Sequence, residues 1–269
     1  MLKKNPDRKI TMLTCYDYPT ARALDNSDID IVFVGDSVGT NMLGYRSELE
    51  VTLDDMVHHL KAVRKGVTSK VLVVDLPYAT YDTETDALKN ARLLHNKGAD
   101  IIKMEGGANI SGIVKTVVDA GIPVMGHIGF QPQIARTAER SVVGALSDDA
   151  VRLHDDAIAL QKAGACAVVL ECVPEMVAKE ISERLRIPTI GIGSGKFTDG
   201  QVLVYADVVG WYNLPYRFIK RYDSFFERTV AAANRFAQDV ITENYPQRNH
   251  GFRIKREQLD AFLETVNSR

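Results

Sequence analysis

Ile101-Ile102-Lys103-Met104-Glu105-Gly106-Gly107 opens on two β-branched apolar residues and ends on two glycines, the pattern of a buried strand and its stop. Alternation along a strand sets Lys103 and Glu105 on one face. A cation and a carboxylate at the carboxyl end of an apolar strand are costly unless they pair or bind something. The plain alternative is a buried ion pair that only helps to close the fold.

The same design recurs along the chain. Ile31-Val32-Phe33-Val34-Gly35 runs into Asp36-Ser37, and Val71-Leu72-Val73-Val74 into Asp75. Val124-Met125-Gly126 runs into His127, and Ala167-Val168-Val169-Leu170 into Glu171. Five apolar strands that each deliver polar groups at their C-terminal ends describe one shared site.

Between these strands lie helical patterns with their own start and stop signals. Thr52 with Asp55, and Thr83 with Asp86, have capping-box spacing. Gly98, Gly121 and Gly164 stand where helices stop. Strand one is expected at Ile10–Tyr16, strand seven at Pro188–Gly193 and strand eight at Arg217–Tyr222. A long helix is expected over Ser224–Asn244, with Phe225, Val230, Ala233, Phe236 and Val240 facing in. Eight strand–helix steps indicate an α/β fold, a single (β/α)8 TIM barrel over residues 1–269 with a helical C-terminal tail from about 223 to 269. A doubly wound open sheet is the competing architecture. In a barrel the active site belongs at the C-terminal strand ends.

The chain has 269 residues, 45% hydrophobic and 25% charged, with a net charge of −2. Interspersed acids and bases leave no electrostatic footprint for nucleic acid. The apolar run after the basic start is a short strand, too brief for a signal-peptide core or a membrane span. Cys15, Cys166 and Cys172 sit in or at the ends of apolar strands, where free buried thiols are the default. A cytoplasmic location fits best.

Three groups invite chemistry. Gly191-Ile192-Gly193-Ser194-Gly195-Lys196 fails both the phosphate-loop and the dinucleotide spacing and reads as a turn beside the site. Asp54, Asp55, His58 and His59 have metal-like helical spacing, but on an outer helix they read as a solvated face. Asp36, Asp75 and Glu105 are the stronger metal set. Carboxylates from separate strands, without thiolates, suit Mg²⁺ or another hard divalent ion. The alternative is that Asp36 and Asp75 cap the following segments or pair with Lys103. His127 also reads as a satisfied core histidine. Glu171, delivered by a purely apolar strand, suits a general base.

Gly35-Asp36-Ser37, Thr52-Leu53-Asp54-Asp55-Met56, Asp75-Leu76-Pro77, Lys103-Met104-Glu105-Gly106-Gly107, Pro123-Val124-Met125-Gly126-His127-Ile128-Gly129 and Leu170-Glu171-Cys172-Val173-Pro174 together resemble the ketopantoate hydroxymethyltransferases. So do Pro188-Thr189-Ile190-Gly191-Ile192-Gly193 and Asp199-Gly200-Gln201-Val202-Leu203, and the likeness runs in register from about Ile10 to Tyr222. The resemblance implies a phosphoenolpyruvate-mutase-like barrel. It also implies transfer of a hydroxymethyl group from 5,10-methylenetetrahydrofolate, as co-substrate, to the small 2-oxo acid 3-methyl-2-oxobutanoate, the first committed step toward pantothenate. Asp36 and Asp75 would then be direct Mg²⁺ ligands, with Glu105 holding a water of the metal. Ser37 and Lys103 would bind the substrate carboxylate, Glu171 would be the base, and His127 would contact the new hydroxyl. A ring-like homo-oligomer such as a decamer is also implied.

The chain departs from the family pattern at Ala135–Gly144, at Glu50, at Lys196-Phe197-Thr198 and after Tyr222. The other readings are a transferase or lyase acting on a different 2-oxo acid, and a non-catalytic barrel subunit. A lyase of this kind is expected to carry an acid–base cysteine in a mobile loop, where this chain has none. A scaffold has no use for so many buried charges.

Overall fold

A computed structural model describes residues 2–5, 7–134 and 141–269. Eight parallel strands close into a barrel in sequence order. They are β1 (Ile10–Thr14), β2 (Ile31–Val34), β3 (Val71–Asp75), β4 (Ile101–Glu105), β5 (Val124–Gly129), β6 (Ala167–Glu171), β7 (Thr189–Ile192) and β8 (Gly200–Leu203). Closure excludes the open doubly wound sheet. Around them stand α1 (Tyr18–Asp25), α2 (Leu53–Gly66), α3 (Glu84–Asn96), α4 (Ser111–Asp119), α5 (Ser147–Ala163) and α6 (Glu175–Arg184). The short α7 (Tyr205–Val209), then α8 (Phe225–Ile241) and α9 (Arg256–Asn267), follow β8.

Both faces of each strand are covered, which is why the strands read as continuous apolar runs. Alternation divides those residues into two cores. Val32, Val74, Ile102, Val168 and Leu170 point outward into the layer under the helices. Ile31, Phe33, Val73, Ile101, Met125, Ala167, Val169 and Ile190 fill the barrel interior. The helix signals hold: Thr52 and Asp55 form a reciprocal capping box on α2, and the Thr83 side chain caps α3. The buried stripe of α3 is Ala87, Ala91 and Leu94.

Two larger expectations fail. Strand eight is Gly200–Leu203, paired with β1 and β7, and residues 217–222 lie outside the sheet. Its signal is weak because only four residues pair, and one of them is a glycine pressed against β1. A Cβ at Gly200 would stand 2.6 Å from Ile10 O. Phe218, within the segment where strand eight was expected, packs against the interior cluster.

The second correction concerns α8, in which no residue is buried. Its start is tied down by the Trp211–Phe225 ring contact and the bond from Phe226 N–H to Gly210 O, but Phe236 is 60% exposed. The periodicity correctly marks one apolar face. It cannot say which surface that face meets.

Candidate active site

The register builds the site. Parallel pairing sets Asp75 beside Lys103, Glu105 beside His127 and Gly129 beside Glu171. Inward alternation then turns these side chains into the C-terminal mouth of the barrel. Asp36 and Ser37 lie just past β2, in the turn that follows Gly35. All seven residues expected from sequence line one cleft. The strand-seven turn also borders it through Ile192. That turn is stapled to β6, since Ser194 Oγ donates to Leu170 O at 2.7 Å.

Lys103 Nζ donates to Asp75 Oδ1 at 2.6 Å, stands 3.9 Å from Glu105 and lies 5.1 Å from the centre of the Phe33 ring. Asp75 Oδ2 accepts from the backbone N–H of Asp36 at 3.0 Å. The expected alternative, pairing of Asp75 with Lys103, is therefore part of the site. His127 Nδ1 is 3.0 Å from Glu105 Oε1. Its Nε2 is 3.3 Å from Glu171 Oε2 and makes no aligned hydrogen bond among the described residues. Ser37 Oγ is 2.8 Å from the Tyr16 hydroxyl.

Asp36, Asp75 and Glu105 are all buried in this mouth, and among the described residues the cationic groups that line it are Lys103 and His127. Burial, reinforced by Asp75 and Glu105, pushes Asp36 well above the usual carboxylate range, against the pull of Lys103 and Gln133. Burial also raises Asp75, despite its bond to Lys103. Burial works against the Lys103 ammonium, yet Asp75, Glu105 and Asp36 outweigh it and hold Lys103 above its ordinary value. For His127, burial and Lys103 favour the neutral ring; Glu105 and Glu171 overcome both and raise it to about 9. Glu105 is held low, because the charge and hydrogen bond of His127, then Lys103, outweigh its burial.

These donors fit a hard divalent cation. Asp36, Asp75 and Glu105 are converging oxygen donors, and Asp36 Oδ1 accepts no hydrogen bond within the described residues. Among the described residues no three His, Cys, Asp or Glu side chains form a complete metal cage. Magnesium does not require one, since it is commonly held by one or two carboxylates plus water and substrate oxygens. The other candidate set resolves as a helix start and a solvated face. Asp55 caps α2, Asp54 and His58 are exposed, and His59 Nδ1 sits 2.7 Å from Tyr16 O.

The model of the family described as ketopantoate hydroxymethyltransferase matches residues 1–248. The chain belongs to the ketopantoate hydroxymethyltransferase family. It is 45% identical over 266 residues to the 3-methyl-2-oxobutanoate hydroxymethyltransferase of Nitratidesulfovibrio vulgaris strain DP4, covering 97% of this chain and 87% of the relative. Against the enzyme of the same name from Clostridium acetobutylicum it is 44% identical over 260 residues, with 95% and 94% covered. Among solved structures, phosphonopyruvate hydrolase complexed with oxalate and Mg²⁺ superposes with TM-score 0.59 at 11% identity, covering 97% and 94%. A 2,3-dimethylmalate lyase of the PEP mutase/isocitrate lyase superfamily gives 0.58 at 14% identity, covering 98% and 92%. These last two share the barrel fold.

Several site residues are absent from the set expected from sequence. Tyr16, at the end of strand one, follows the same rule as the other strand ends and was legible. Gln133 and Tyr81 were not, because they come from loops. Of the Ala135–Gly144 departure, residues 135–140 lie outside the described residues. The chain reaches Gln133 by a turn at Gly129, whose φ is +94° and whose added Cβ would stand 2.2 Å from Glu171 O. Only glycine permits that approach.

Proposed function

We propose that this chain transfers a hydroxymethyl group from 5,10-methylenetetrahydrofolate to C3 of 3-methyl-2-oxobutanoate, giving 2-dehydropantoate. The observation that carries the reading is the convergence of Lys103, Asp36 and Asp75 with Glu171 in one cleft, in a chain of this family. Asp36 and Asp75 would hold Mg²⁺, with Glu105 beside them. When bound, the ion supplies Lewis-acid polarisation of the 2-oxo group, which makes the C3 proton more acidic.

The protein's own groups supply the remainder. Lys103 and Ser37 bind the substrate carboxylate: Lys103 offers a buried ammonium, and Ser37 a hydroxyl oriented by Tyr16. Glu171 takes the proton from C3. Water adds to the methylene carbon of the donor as both of its C–N bonds break, so that formaldehyde is released and the two folate nitrogens take the protons of the water. The electron pair left at C3 then forms the bond to the formaldehyde carbon, whose C=O π pair moves onto oxygen, and that oxygen takes up a proton as the new hydroxyl. His127, held by Glu105 through Nδ1, presents Nε2 beside Glu171 and is placed to hydrogen-bond the new hydroxyl.

Proton abstraction can be tested without the folate. In D₂O with Mg²⁺, the protein should exchange the C3 proton of 3-methyl-2-oxobutanoate, followed by NMR, and a chelator should stop it. Exchange no faster than in a protein-free control would remove the basis for this mechanism.

Self-association belongs to the same proposal and is supported by α8. On the outer face of β1 and β8, Leu13 is only half-buried and Gln201 is exposed, whereas Val32, Leu72, Ile102 and Val168 under the helices of the same chain are fully buried. The outer face of β8 and β1 therefore suits the apolar face of α8 from a second copy. Sedimentation should show a homo-oligomer that Phe236→Asp with Val240→Asp reduces in size. A wild-type monomer at micromolar concentration would rule this out. No helix among the described residues is long and apolar enough to cross a membrane.

A further inference from the structure

The turn after β5 folds back over the mouth of the barrel. Phe130 N–H donates to Glu171 O at 2.8 Å, and Gln131 Nε2 donates to His127 O at 2.9 Å. Gln133 then crosses to the other side. Its side-chain Nε2 donates to Asp36 Oδ2 at 2.8 Å and to Leu76 O at 3.0 Å, and its backbone N–H donates to Glu105 Oε2 at 3.0 Å. Its Oε1 accepts from the Tyr81 hydroxyl. Two acceptors on one side of the amide and a donor on the other fix which way it points. Gln133 is 3% exposed, so none of these bonds is replaced by solvent.

One neutral residue therefore holds one oxygen of Asp36 and one of Glu105, two carboxylates that repel each other, and ties both to the end of β3. It offers no charge and no base. What it does offer is a fixed direction for the remaining oxygen of each carboxylate. For Glu105 that oxygen faces His127, and for Asp36 it has no donor among the described residues.

We propose that Gln133 is the positioning residue of the cation site: through Nε2 and its backbone N–H it orients Asp36 and Glu105 for a divalent ion, and Tyr81 fixes the amide in that orientation. This rests on the reading that these carboxylates bind the ion. It extends that reading to a residue on the β5–α5 connection, so the loop that begins over the base also sets the metal ligands.

The test uses Mn²⁺ alone as a probe, with affinity from calorimetry and the electron paramagnetic resonance line shape of the ion recorded at saturation. Gln133→Met keeps the volume and removes all three side-chain hydrogen bonds, to Asp36, Leu76 and Tyr81, while the backbone N–H still reaches Glu105. It should weaken Mn²⁺ binding by about 10–100-fold, the usual effect of losing an outer-shell partner, and should alter the line shape. Tyr81→Phe, which removes the hydroxyl that orients the amide and also meets the backbone of Glu105, should weaken binding by less than about 10-fold. Wild-type affinity and line shape in Gln133→Met would overturn the proposal. So would tighter binding, which would mean that the amide competes with the ion. If Gln133→Met does not fold, unchanged affinity and line shape in Tyr81→Phe overturn it equally. A wild-type protein that binds no Mn²⁺ would overturn both this inference and the cation site beneath it, whereas failure of the inference alone leaves wild-type binding intact.

Discussion

Glu171→Gln should slow exchange of the C3 proton of 3-methyl-2-oxobutanoate by about 10²–10⁴-fold, the usual worth of a positioned general base. Glu171 ends β6 on the face shared with Ala167 and Val169, and its carboxylate lines the cleft. Glutamine keeps the shape and a hydrogen-bonding oxygen but cannot accept the proton. Binding of the 2-oxo acid, measured by calorimetry with Mg²⁺ present, should change little, because Lys103, Ser37, Asp36 and Asp75 remain. Equal exchange rates in wild type and variant would show that Glu171 is not the base. A loss confined to binding would instead place it among the substrate contacts.

Asp75→Ala should abolish Mg²⁺-dependent binding of 2-oxo acids, an effect larger than the roughly 10–100-fold typical of outer-shell residues. It also leaves Lys103 buried without its 2.6 Å partner, and breaking a buried pair costs about 3–5 kcal/mol. Asp75→Asn separates the two effects, since it preserves volume and an acceptor for the Asp36 N–H while removing the charge. Both variants should lose the cation, and the alanine variant should also melt at lower temperature. Unchanged metal and substrate affinity in a folded Asp75→Ala protein would remove Asp75 from the ligand set.

Much of this site was readable because barrel geometry makes it so. An apolar strand buried on both faces can tolerate a charged residue only where the strand ends, so Lys103, Glu105, His127 and Glu171 mark the mouth in the sequence itself. Register then does what a single strand cannot show, setting Asp75 against Lys103 and Glu105 against His127. Three features were illegible for different reasons. The pairing of β8 depends on close approach of Gly200 to β1, a tertiary fact with almost no local pattern. The apolar face of α8 was visible, but periodicity does not distinguish a helix that covers its own barrel from one that presents itself outward. Gln133 acts through hydrogen bonds that span 97 positions to Asp36, and a neutral amide in a loop carries no compositional signal.

The most direct test of the central claim is transfer itself. Purified protein, Mg²⁺, 3-methyl-2-oxobutanoate and 5,10-methylenetetrahydrofolate labelled with ¹³C in the methylene group are incubated together, beside a panel of other 2-oxo acids. The account predicts 2-dehydropantoate carrying the label in its new hydroxymethyl carbon, formed fastest from 3-methyl-2-oxobutanoate and lost when the divalent ion is chelated. Label that stays in the donor, or a different 2-oxo acid as clearly the fastest acceptor, would contradict it.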